Sequence, residues 1–163
     1  GPLFRFPFLG ALALGVSAVA LGLARRAIDE IVDVAGAKRP AQSSRLLAER
    51  PVVQAQVARA DAARRSAAAF VREAVAEAWE ATELTAEHVR VVRLAATNAT
   101  WRSAEAVDLA YHAAGGSSVH ESSPLQRLFR DVHVVTQHGM VAERTYEPIG
   151  RIALGLPTDV RSL

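Results

Sequence analysis

Apolar residues recur at three- and four-residue spacings along most of this chain and nowhere alternate in the two-residue rhythm of a strand. From Leu9 to about Val34 the pattern predicts one long helix, ended by Gly36 and Pro40, with Asp29, Glu30 and Asp33 on a polar side near its end. The first half of this helix is apolar all round and is expected to lie centrally. A loop through Lys38, Pro40, Gln42, Ser43 and Ser44 follows, and Leu46 with Leu47 leads to Pro51, which suits the first turn of a second helix. There Val53, Val57, Ala60, Ala67, Phe70, Val71, Ala74 and Ala78 form an apolar face. Thr85 is a good N-cap for a third helix, carried by Val89, Val92, Ala96, Ala99, Ala106 and Ala110 toward Gly115 and Gly116. Ser123, Pro124 and Gln126 open a fourth, as serine cap, first-turn proline and capping-box glutamine. Leu125, Phe129, Val132 and Thr136 are its expected buried stripe, with Arg130, Val134 and His138 on the neighbouring one. Tyr146 to Leu156 is a short apolar closing segment. The expected fold is all-α, an up-and-down four-helix bundle formed by residues 1–163 as a single domain.

Two long alanine-rich faces let helices approach closely and favour contacts between copies of the chain. The Leu9 to Ala24 run is nearly long enough to cross a bilayer, but its Ala and Gly content and its continuation into Arg25 and Arg26 favour a buried helix over a membrane span. Arg5 is a thin basic start and Pro7 interrupts the approach to that run, which argues against a signal peptide. The only methionine is Met140, so Gly1 is expected to be a cut or a domain boundary, with the chain as a C-terminal piece.

Charge and composition then remove several kinds of chemistry. The absence of cysteine excludes disulfides, thiolate zinc sites and cysteine nucleophiles, and fits a cytoplasmic location. A net charge of +2, with arginines interspersed among acids and Lys38 the sole lysine, gives no track for nucleic acid. The five histidines, His88, His112, His120, His133 and His138, do not pair at four-residue helical spacing, so no metal site is expected. Gly115 to Val119 lacks the glycine spacing of a nucleophile elbow. The two glycines read first as a helix stop, although Gly115, Gly116, Ser117 and Ser118 also let a ligand approach backbone closely. Asp131 and His138, seven apart, are placed on one helical face beside Arg130, either as a surface charge network or as an oriented imidazole.

The segment from Ala113 to His138, with Gly115-Gly116-Ser117-Ser118, Ser123-Pro124-Leu125-Gln126, Arg130-Asp131 and Gln137-His138-Gly139-Met140, resembles the C-terminal region of the acyl-CoA dehydrogenase superfamily. More narrowly it resembles the two-component flavin-dependent monooxygenase branch. Pro2 to Phe8, Gly22 to Ala27, Val53-Gln54 and Ala60-Asp61-Ala62 are similar to other stretches of the same domain. The resemblance implies that the family's N-terminal helical and middle β domains are absent here. It implies that Gly115, Gly116, Ser117 and Ser118 adjoin a flavin, with Arg130 and Asp131 as the paired residues of the last bundle helix. It also implies that His138 stands near the place of a dehydrogenase's catalytic glutamate, as the acid/base or peroxyflavin-stabilising residue. The dehydrogenases' Arg-x-x-Phe-Gly motif is missing, Ser43 and Ser44 occupying that loop, which disfavours classical acyl-CoA oxidation. The implied function is oxygenation of an aromatic or heteroaromatic substrate by reduced flavin, FMN or FAD, bound only together with the missing domains. The implied partners are a flavin reductase and further copies of the chain in a tetramer. The rival readings are an acyl-CoA dehydrogenase-like oxidoreductase and a non-catalytic oligomerisation module.

Overall fold

The computed structural model describes residues 2–41 and 43–163, with the side chains of Pro2, Leu3 and Ser162 excepted; Gly1 and the loop residue Gln42 lie outside the described residues. Helices account for the architecture: α1 (Pro2–Arg5), α2 (Phe8–Ala37), α3 (Pro51–Glu80), α4 (Ala86–Ala114), α5 (Pro124–Thr136) and α6 (Tyr146–Ala153). No strand occurs among the described residues. The bundle proper is α2 to α5, and α4 is its hub, packed on α2, α3 and α5, with α6 added at one end.

Alanine dictates this arrangement. Along α4 the buried surface, divided among α2, α3 and α5, is Val92, Arg93, Ala95, Ala96, Thr97, Ala99, Thr100, Ser103, Ala104, Ala106, Val107, Ala110, Ala113 and Ala114. It meets Ala60, Ala63, Ala67, Ala74 and Ala78 of α3. Such small side chains bring the helix axes close and bury a large area through many short contacts. The buried hydroxyls of α4 are satisfied inside the helix itself: Thr97, Thr100 and Ser103 donate to the carbonyls of Arg93, Ala96 and Ala99 at 2.9, 3.1 and 2.7 Å. The five-residue link 81–85 makes α3 and α4 antiparallel neighbours, and Thr85 caps α4 as its sequence position requires. The cap is reciprocal: His88 N donates to Thr85 Oγ1 at 3.4 Å while Thr85 N donates to His88 Nδ1 at 3.1 Å.

Three expectations need correction. The first half of α2 is not central: Gly10, Ala13, Ser17, Ala20 and Ala24 form one buried stripe, while Phe8, Leu12 and Val19 on the other side are exposed. An apolar composition all round therefore concealed a one-sided helix. The helix is long and apolar enough to cross a membrane by length and composition, yet that stripe is occupied by packing within the bundle. In α5 the buried stripe is Leu125, Leu128, Val132 and Thr136, with Phe129 only half-buried. Ser123 precedes α5 as expected, but its side chain makes no capping hydrogen bond, and the proline alone sets the start.

Candidate functional site

The glycine-rich turn after α4 has a fixed shape. Gly115 has φ +64° and ψ −151°, a conformation open to glycine and strained for other residues, and this stops α4. Gly116 has an ordinary backbone, is exposed, and an added Cβ would meet nothing within 4 Å. Lys38, arriving from the end of α2, donates to the Ala114 carbonyl and to Ser117 Oγ, each at 2.7 Å, so a cation tethers the negative end of α4. Ser117 in turn donates to Ala114 O at 3.1 Å, and the buried Ser118 donates to Gly115 O at 2.7 Å. Both serine hydroxyls thus shape the turn. Tyr111, His112, Gly115, Gly116, Ser118 and Val119 line a shallow depression of about 220 Å³ there.

His138 lies elsewhere. Helix α5 ends at Thr136, so Asp131 and His138 do not share a helical face, and the seven-residue spacing does not bring them together. Asp131 instead meets Arg130 at 3.3 Å and Arg127 at 3.6 Å in an exposed cluster of the kind worth little to stability. Arg130 also borders a groove of about 620 Å³ with Tyr111, Phe129, His133 and Gln137. The glycine turn precedes α5 and His138 follows it, so the 13 residues of the helix separate them by about 20 Å. The glycine turn and His138 are two places on the surface, and His138 lines neither the depression at that turn nor the groove beside Arg130.

The turn bearing His138 is held from several sides. The His138 carbonyl accepts from the amides of Val141 and Ala142, both at 2.9 Å, and the Met140 amide donates to His138 Nδ1 at 3.2 Å. This leaves Nε2 of the exposed imidazole as the nitrogen available to a ligand. Val141 is fully buried, and its carbonyl accepts from Trp101 Nε1 at 3.1 Å. Beneath the turn, Arg93 is 3% exposed and its Nη1 reaches the Leu9 carbonyl at 3.2 Å and Met140 Sδ at 3.7 Å. Burial holds this guanidinium below the ordinary arginine value, and its Nε has no hydrogen-bond partner. A rigid turn with an exposed imidazole is suited to proton transfer at a fixed position.

A second histidine is placed more specifically. His133 Nδ1 is 2.8 Å from the Phe129 carbonyl, and its Nε2 is 3.5 Å from Asp108 Oδ1 on α4. Tyr111, Phe129 and His133 form a run of rings with successive centroids 4.5 Å apart. Burial raises the Asp108 carboxyl above the ordinary aspartate value, the His133 and His112 rings oppose that, and Glu105 reinforces it. The Asp108–His133 pair spans 25 positions and two helices, so no local spacing announces it. No cluster of three or more metal-ligating side chains occurs among the described residues.

Residues 14–143 match the family model described as acyl-CoA dehydrogenase, C-terminal domain. An indole-3-acetate monooxygenase of Pseudomonas putida is 35% identical over 158 residues, covering 94% of this chain and 41% of that protein. The solved 3-HSA hydroxylase from Rhodococcus sp. RHA1 superposes with a TM-score of 0.86 at 25% identity, over 98% of this chain and 42% of that one. XiaF from Streptomyces sp., solved in complex with FADH2 and glycerol, gives 0.86 at 26% identity over 96% and 41%. The chain thus spans about two fifths of the length of these relatives. With all of the bundle but the start of α2, its hub helix and both turns inside the matched range, the chain belongs to the family of acyl-CoA dehydrogenase C-terminal domains.

Proposed function

We propose that this chain forms the helical wall of the active site of a two-component flavin-dependent monooxygenase acting on an aromatic or heteroaromatic substrate, with His138 as its acid/base residue. The observation that carries the reading is the His138 turn. Its backbone is pinned by Val141, Ala142 and Trp101, its Nδ1 is occupied by the Met140 amide, and its Nε2 is open. Similarity to an indole-3-acetate monooxygenase and to a structure holding FADH2 supports the same chemistry.

The residues present fit a flavin at the glycine turn. Gly116 has space where a side chain would stand, and the exposed peptide edges of Gly115 and Gly116 face a depression shared with Tyr111 and His112. Gly115 and Gly116 would hold the cofactor by close backbone approach. Ser117 and Ser118 keep that backbone in shape, Arg130 offers a charge beside the neighbouring groove, and Asp131 restrains Arg130. Reduced flavin, FMN or FAD, supplies the electrons that activate oxygen. With Nδ1 accepting from the Met140 amide, the neutral His138 ring carries its hydrogen on Nε2, so as the acid/base residue it would act first as the proton donor there.

On this reading the rest of the flavin site belongs to the part of the relatives that this chain does not span, and the 163 residues alone bind reduced flavin weakly. A separate reductase delivers the flavin. The open apolar side of α2, with Phe8, Leu12 and Val19 exposed, supports assembly of copies, proposed as a tetramer, and the location proposed is the cytoplasm. Replacing His138 by alanine in the complete enzyme should divert oxygen consumption into hydrogen peroxide at the expense of product. Unchanged coupling would overturn the assignment, and tight stoichiometric flavin binding by the chain alone would overturn the division of the site.

A further inference from the structure

Within α2 to α5, every other carboxylate–cation contact among the described residues is local to one helix; Asp108 and His133 alone join two. We propose that Asp108 Oδ1 and His133 Nε2 hold a single proton between them, and that this pair, through Thr136 and Gln137, is a positioning device for the turn that presents His138. The purpose assigned to it rests on the function proposed above; the shared proton does not.

The proton follows from valence. A carbonyl oxygen only accepts, so His133 Nδ1, 2.8 Å from Phe129 O, is an N–H. A neutral ring then carries a bare lone pair on Nε2. That lone pair faces Asp108 Oδ1 at 3.5 Å, and ionised Oδ1 also has only lone pairs to offer. The Asp108 side chain is 38% exposed as a whole, but Oδ1 itself is shut off from solvent and has no hydrogen-bond partner. Neither atom has another donor, so the contact is attractive only when a proton lies on one of them. The surrounding charges do not supply an alternative. On α4, Glu105 pairs with Arg102, and His112 is exposed. On α5, Arg130 is drawn to Asp131.

The pair connects to the site by a continuous route. The His133 carbonyl accepts from Thr136 Oγ1 at 2.7 Å, and Thr136 Oγ1 accepts from Gln137 Nε2 at 3.0 Å. Thr136 is 2% exposed and so has little room to exchange partners. The next amide is that of His138, which donates to Val135 O at 3.1 Å. Loss of the proton to solvent leaves a carboxylate opposite an imidazole lone pair, and His133 moves away from α4 with the residues it is bonded to. The sign for stability agrees. Burial raises Asp108 in the fold, so the proton-bound native form is favoured, and its contribution is full at low pH and is lost as pH rises through release.

Isotope-labelled NMR on the 163-residue chain tests this without flavin. The step that removes the pair's last proton should appear with one midpoint at both the Asp108 carboxyl carbon and the His133 ring nitrogens. In a His138→Gln background, so that His138 cannot itself contribute, the Gly139 and Met140 amides should move with that same midpoint. Asp108→Asn supplies an N–H to Nε2 at every pH and should hold these amides at their low-pH positions. Asp108→Ala should leave them at their high-pH positions, the two variants spanning the whole pH-dependent change. A last deprotonation registered by only one of the two residues, or identical turn shifts in the Asn and Ala variants, would overturn the proposal; if the alanine variant does not fold, the titration of the unsubstituted pair decides. A shared step together with unchanged coupling in a His138→Ala oxygenase retains the pair and removes only its catalytic purpose.

Discussion

The α3–α4 interface and the surroundings of α5 are built from opposite materials. The buried residues of α3 and α4 are mostly alanine, and the buried hydroxyls of α4 are returned to their own helix, so none of these depends on another element. Around α5 the polar groups reach across: Lys38 to the end of α4, Trp101 to Val141, Arg93 to Leu9, His133 to Asp108. The first region fixes which helices meet and at what distance. The second fixes where two exposed turns stand, and a bundle needed only for shape has no use for so many costly ties.

The contrast can be broken from either side. Ala106→Leu, at a position with no exposure, should be the most damaging change, costing about 3 kcal/mol in urea unfolding because a close-packed alanine face has nowhere to put three more carbons. A tolerated leucine would mean that the interface is looser than its geometry indicates. In the glycine turn the two neighbours should differ. Gly115→Ala forces an L-residue to a φ of +64° and should cost about 2 kcal/mol, whereas Gly116→Ala should stay within about 0.5 kcal/mol of the parent. Flavin binding in the complete enzyme sharpens that result. If Gly116 serves the cofactor, its alanine variant loses affinity while its unfolding curve is unchanged. Arg130→Gln should matter least to folding, within about 0.5 kcal/mol, since its ion pair with Asp131 is exposed.

What could be read from the sequence follows the same division. The helices, the Thr85 cap and the α3 and α4 faces are local patterns repeated over eight turns, and periodicity finds them. At the end of α5 the pattern misleads because repetition stops. The run Val134, Val135, Thr136 ahead of Gly139 is poor helix material, and reading it as a stop would have separated His138 from the face of Asp131. One residue of drift in a 3.6-residue repeat exchanged Leu128 for Phe129, and so hid the ring run that places His133. Asp108 and His133 were unreadable for a different reason, because only the packing of α5 against α4 creates their contact. The resemblance to a family supplied His138 and the glycines as names; their separation by the length of α5 is a property of the folded chain.

The hydrogen bond from Trp101 to the Val141 carbonyl has a practical side. The chain has two tryptophans, and the other, Trp79, is 46% exposed at the far end of α3. With Trp79 replaced by phenylalanine, the remaining indole becomes an optical gauge fastened three residues from His138. Its emission would register turn opening, occupancy and pH in one cuvette, with no label attached.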